Sequence, residues 1–110
     1  MGPILRAELE SGQSFDDPSE DLLFELLGDV ERGDELFLIV TRLSDPSSQT
    51  YAQTIRNDDG SWLVERRDGS PDRHFGATVP DLRAVHRILT AWAFEFAGWQ
   101  GSASWERIIV

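Results

Sequence analysis

Apolar residues recur along the chain with a spacing that changes from segment to segment, and each spacing predicts an element. Residues 4–9 read as a short strand, broken by Ser11-Gly12-Gln13-Ser14. Leu22, Leu23, Leu26, Leu27 and Val30 then fall on one face at helical spacing. Asp17-Pro18-Ser19-Glu20 supplies the start of that helix. Asp17 offers an acceptor to the free backbone N–H groups, Pro18 suits the first helical position and Glu20 closes a capping box. Gly33 ends it. The unbroken apolar run Leu36-Phe37-Leu38-Ile39-Val40 predicts a central strand covered on both faces.

After a loop at Ser44-Asp45-Pro46-Ser47-Ser48, residues 49–56 and 61–67 predict two strands joined by Asn57-Asp58-Asp59-Gly60, a hairpin signal. Pairing Arg56 with Ser61 puts Tyr51, Gln53, Ile55, Trp62, Val64 and Arg66 on one face. Ala52, Thr54, Leu63 and Glu65 take the other. Both faces are partly apolar, so the pattern leaves open which is core. Asp68-Gly69-Ser70-Pro71-Asp72 turns the chain into a further strand at 73–78. Thr78-Val79-Pro80-Asp81 opens a second helix whose buried stripe is Leu82, Val85, Leu89, Trp92, Ala93 and Phe96, with Gly98 as its C-cap. A loop over 99–103 leads to a last strand at 104–110. The order β-α-β-β-β-β-α-β predicts an α+β fold. It is a single domain over 1–110, a mainly antiparallel sheet of about five to six strands carrying two helices.

Composition narrows the function classes. The 110 residues are 40% apolar and 10% aromatic, enough for a core. The lack of Cys excludes a disulfide scaffold, a thiolate metal site and a cysteine nucleophile. No apolar run approaches the ~20 residues of a membrane span. The N-terminus reads as neither signal peptide nor transit peptide, and it lacks the myristoylation pattern. The expectation is a cytoplasmic protein without a membrane partner.

The net charge is −10, and residues 1–35 carry nearly all of it, with eleven acidic residues against Arg6 and Arg32. Such asymmetry serves solubility or meets a basic partner surface. It disfavours nucleic acid, which demands a basic footprint. All ten basic residues are Arg, a usage that looks like a GC-rich bacterial genome.

No P-loop, no G-x-G-x-x-G and no G-x-S-x-G is present. Asn57-Asp58-Asp59-Gly60 lacks the length and terminal Glu of a calcium loop. His74 and His86, the two histidines, lack metal-ligand spacing. No catalytic residue, cofactor or metal is therefore expected on motif grounds. Glu65 and His74, on neighbouring predicted strands, form the one drawable acid/base pair, and they carry the alternative reading of a small enzyme. The aromatics are the stronger lead. Trp99 and Trp105 flank the final loop and suit either a core or a partner site. On a helical wheel Phe94 falls with Arg83, Arg87 and Thr90, opposite the buried stripe, and Phe24 lies beside Glu20 and Glu31. An apolar ring among charges resembles an interface anchor with a polar rim, and a second packed layer or a homodimer through Phe94 accounts for it equally well. The candidate partner-binding residues are Glu20, Asp21, Glu25, Phe94, Trp99 and Trp105.

Tyr51-Ala52-Gln53 and Trp62-Leu63-Val64-Glu65-Arg66 lead into the second helix, which closes at Gly98-Trp99 and is followed by Ser104-Trp105-Glu106-Arg107. This layout resembles small bacterial immunity proteins of the Imm1-like kind and uncharacterised actinobacterial proteins of the same plan. In that resemblance, Gly98 and Trp105 stand for the Gly and Trp that follow the late helix. It implies a non-enzymatic protein that binds and blocks a cognate toxin. An acidic surface would then cover a basic site and speed association by steering.

Overall fold

Strand pairing in the computed structural model, which describes residues 2–109, makes one antiparallel sheet of seven strands with both helices on the same face. The strands are β1 (Leu5–Leu9), β2 (Ser14–Asp16), β3 (Phe37–Arg42), β4 (Thr50–Arg56), β5 (Trp62–Asp68), β6 (His74–Val79) and β7 (Glu106–Arg107). Their order across the sheet is β2-β1-β3-β4-β5-β6-β7. Helix α1 (Glu20–Glu31) connects β2 to β3, and α2 (Leu82–Ala93) follows β6. The α+β class therefore stands, with seven strands rather than five or six. The added strand is β2, which begins at Ser14, the last residue of the expected 11–14 break, and pairs Ala7 with Phe15. The expected strand over 104–110 is only the two residues of β7, and Val110 lies outside the described residues.

The core lies between the sheet and the helices. Leu5, Ala7, Leu9, Leu38, Val40, Ala52, Trp62 and Val64 meet Leu23, Leu26, Leu27 and Val30 of α1 and Leu82, Val85, Ile88, Leu89 and Trp92 of α2. The hairpin register differs by one residue from the expected pairing, since Arg56 faces Trp62. Asn57 N–H bonds the Ser61 carbonyl, and Gly60 N–H bonds the Asn57 carbonyl. Gly60, at φ +90°, takes the left-handed position that closes a three-residue loop as a bulge. That slip turns over every side chain of β5. Trp62, Val64 and Arg66 join Ala52 and Thr54 towards the helices, while Leu63 and Glu65 join Tyr51, Gln53 and Ile55 on the opposite face.

Three further expectations are corrected. Asp17 does not cap α1. Ser19 does, its hydroxyl accepting from Leu22 N–H at 3.1 Å. Asp17, held at φ +47°, instead accepts the backbone N–H groups of Ile4 and Leu5 at 2.8 and 3.0 Å, tying the start of β1 to the entry of α1. The second helix stops earlier than its apolar stripe. Phe94 is the C-cap, Glu95 turns left-handed and Phe96 is half exposed instead of buried. Gly98, at φ +78°, opens the short 3-10 turn Trp99–Ser102 rather than ending α2. Finally, β3 is covered on one face only. Leu38 and Val40 are buried under the helices, but Phe37 and Ile39 lie on the face that no helix covers.

The turns rest on carboxylates that hydroxyl groups hold in the charged form. Asp45, Asp59 and Asp72 all sit below the ordinary 3.8, chiefly because Ser47, Ser61 and Ser70 respectively donate to them. Asp16 is likewise lowered, first by the hydrogen bond from Arg6. A lowered folded-state value stabilises the fold above the unfolded value, and that contribution drains away as pH falls through the folded one. Urea midpoints are therefore expected to decline as pH falls below about 4, the unfolded carboxyl range. A midpoint that holds steady from neutrality down to about pH 2.5 would show that these turns contribute nothing.

Candidate functional site

The sheet face opposite the helices carries the chemistry-bearing residues, and two parts of it differ in cover. Over β6 the face is closed. Gly76 has no side chain, and Ile108 packs into that space, where a Cβ on Gly76 would meet its Cδ1 at 2.6 Å. Ile108 N–H also bonds the His74 carbonyl at 2.8 Å. This cover, with Tyr51 set edge-on to the imidazole at 6.1 Å, leaves His74 3% exposed.

A polar chain runs through that buried region. Arg67 Nη1 donates to Gln49 Oε1 at 2.7 Å, and Arg67 Nε donates to His74 Nδ1 at 3.1 Å. Nδ1 is thus an acceptor, which assigns the imidazole proton to Nε2. Nε2 faces Glu65 Oε1 at 3.6 Å, and Glu65 Oε2 accepts from Gln53 Nε2 at 2.5 Å. The structure therefore brings Glu65 and His74 together, as neighbouring strands allow. It does not aim them jointly at open space. Both ring nitrogens of His74 face protein, and the 3.6 Å gap exceeds the ~2.6–3.2 Å reach of general acid–base transfer. Glu65 alone of the pair borders a hollow.

That hollow, about 220 Å³, lies over β3, β4 and β5 and is lined by Phe37, Ile39, Ile55 and Leu63, with Gln53 and Glu65 at one end. Alternation puts these residues there. Phe37 pairs with Ile55, Ile55 with Leu63, and Gln53 with both Ile39 and Glu65. The uncovered face of an antiparallel sheet is ordinarily polar. Here its middle is an apolar strip, and Ile55 is 40% exposed. Period-two alternation within Phe37-Leu38-Ile39-Val40 was the available signal for half of that strip. Leu63 was hidden by the register slip.

The residues expected to contact a partner lie elsewhere. Glu20, Asp21 and Glu25 are exposed on α1, but Asp21 and Glu25 border an open groove whose other wall is Arg83 and Arg87 of α2, with Phe24 and His86 between them. The acidic helix is therefore one wall of a mixed-charge groove. Several acids of the first third are committed internally. Asp16 pairs with Arg6, Asp29 and Asp34 pair with Arg32, Asp17 holds backbone, and the buried Glu35 accepts from Ser11 N–H. Phe94 lies past the end of α2, 6.2 Å from Phe96.

Trp99 and Trp105 are half-buried around Arg66. The Arg66 guanidinium lies 4.3 Å from the Phe75 ring centre, 4.9 Å from Trp99 and 4.8 Å from Trp105, and it pairs with Asp68. A cation enclosed by aromatic faces is held by their quadrupoles. In this chain the arrangement fastens residues 99–107 to the sheet.

Among the described residues no helix is long and apolar enough to cross a membrane, and no cluster of three or more metal-ligating side chains exists. Comparison with protein-family models, with curated proteins and with solved structures finds no match to this chain.

Proposed function

We propose that the protein is a small acidic binding module that acts by covering a basic protein partner, in the manner of an immunity-type inhibitor of a cognate toxin. The observation that carries this reading is the apolar strip of Phe37, Ile39, Ile55 and Leu63 on a sheet face that no helix covers. An apolar centre with charged residues around it is the anatomy of a protein interface. Glu65, at one end of the hollow, offers a carboxylate to a cationic side chain seated beside an apolar anchor. Exposed Glu8 lies on the same face, and the net charge of −10 speeds the approach of a basic partner from a distance. The lack of Cys suits the reducing cytoplasm as the place of action.

The test is Ile55→Glu. Its side chain is 40% exposed on a face that no helix covers, so the variant is expected to fold with a loss of about 1 kcal/mol, which the urea midpoint measures. Retention of a basic protein from the source cell's lysate is expected to fall by about thirtyfold, since a central interface anchor contributes about 2 kcal/mol or more. An unchanged set of captured proteins, at both low and high salt, would overturn the sheet face as the contact surface.

The enzyme reading has one observation in its favour, the approach of His74 to Glu65. The cover over His74 weighs against it.

A further inference from the structure

The helical side of the molecule presents charge in a pattern that matches itself. Asp21 and Glu25 stand one turn apart on α1, and Arg83 and Arg87 stand one turn apart on α2. The groove between them encloses about 620 Å³ and is open to solvent. Among the described residues, none of these four side chains has an ion-pair partner within 4.0 Å or a side-chain hydrogen bond. Phe24 sits between the two walls, 44% exposed, with its ring edge-on to His86 at 5.1 Å. His86 is itself fixed by a contact of Nε2 with the Glu20 carbonyl at 2.9 Å, so the groove floor is built rather than loose.

We propose that this groove is a two-fold interface between two copies of this chain. In an isologous contact, residue i of one copy meets residue j of the other, and j meets i. A patch with an acidic wall and a basic wall satisfies that rule without any second sequence. The Asp21/Glu25 wall of each copy meets the Arg83/Arg87 wall of the other, and the two Phe24 rings supply apolar contact near the axis. A partner of one sign would complement only one wall and be repelled by the other. Each copy carries −10, which opposes association at long range. At physiological salt the Debye length is about 8 Å, so distant repulsion is screened while apposed walls still attract. The proposed sheet-face contact lies on the opposite side of the sheet, so the two readings fail independently.

The experiment is light-scattering mass measurement across concentration for the wild type and two charge-reversed proteins. Arg83→Glu with Arg87→Glu makes both walls acidic. Asp21→Arg with Glu25→Arg makes both walls basic. The wild type is expected to reach twice its 12.4 kDa chain mass. Each reversed protein alone is expected to remain at single-chain mass. An equal mixture of the two is expected to restore the doubled mass, because each supplies the wall that the other lacks. Restoration also requires both to be folded, and circular dichroism of each alone separates misfolding from lost contact. Salt gives a readout without substitution, since raising it from about 150 mM to about 1 M cuts the Debye length from about 8 to about 3 Å and is expected to shift the wild type towards single chains. A wild type that stays at 12.4 kDa up to millimolar concentration at about 150 mM salt overturns the interface. So does a doubled mass that survives either reversal, or a mixture of folded reversed proteins that remains single. Ile55→Glu is expected to leave the doubled mass unchanged.

Discussion

Trp62→Ala is expected to lower the free energy of unfolding by about 3–5 kcal/mol. Trp62 is fully buried in the core between sheet and helices. Its removal loses the transfer free energy of a fully buried indole and leaves a cavity that β5, paired on both sides, closes only partly. A domain of this size has about 5–15 kcal/mol in total, so the loss is a large fraction of its stability. Leu63→Ala, one position along, is expected to cost about 1 kcal/mol, because Leu63 borders the uncovered hollow and keeps part of its surface in water. Urea unfolding followed by circular dichroism measures both. The ranking is also a test of register. With Arg56 opposite Ser61 instead of Trp62, the two residues would exchange faces, so a larger loss at position 63 than at 62 would reject the pairing described above.

Arg66→Ala is expected to cost a comparable ~3–5 kcal/mol, for a different reason. The guanidinium fills the space between Phe75, Trp99 and Trp105, and it neutralises Asp68. Its loss leaves a partly buried carboxylate without a cation and opens a gap beside Phe75 and the two indoles, which keep only their contacts with the core. The release of residues 99–107 should follow, read as faster amide exchange there and easier quenching of tryptophan fluorescence. Arg66→Met with Asp68→Asn is expected to recover much of the loss, since a flexible apolar side chain fills the box and no charge is stranded. A change under about 1 kcal/mol for Arg66→Ala would mean that the box does not hold the C-terminal segment.

Much of the candidate site was partly legible in the residues. Glu65 and His74 were legible as neighbours because strand pairing is short-range geometry once two turns are recognised. The seclusion of His74 was not legible, because it depends on Gly76 leaving room for Ile108, thirty-odd positions later. The mixed-charge groove had a signal in each helix, a pair of like charges one turn apart. Their apposition needed the packing of α1 on α2. The aromatic box around Arg66 had no local signal at all, since it joins β5, β6 and the C-terminal turn.

The sequence by itself determined the elements that local chemistry specifies. Those are the two amphipathic helices, whose apolar spacing reports burial on one side, the opening of the second at Thr78-Val79-Pro80-Asp81, and the hairpin around Asn57-Asp58-Asp59-Gly60. It also determined the α+β class, because that order of periods admits few layerings. Only the tertiary structure decided what rests on a choice between near-equal local options. Ser19 was chosen over Asp17 as the cap because Asp17 is drawn to the N–H groups of Ile4 and Leu5. The hairpin closed on three residues, not four, because that register sends Trp62 and Val64 into the core beside Ala52. With both helices spent on one face, the other kept its apolar strip uncovered. Period-two alternation names two faces of a strand, and only the rest of the chain says which of them is covered.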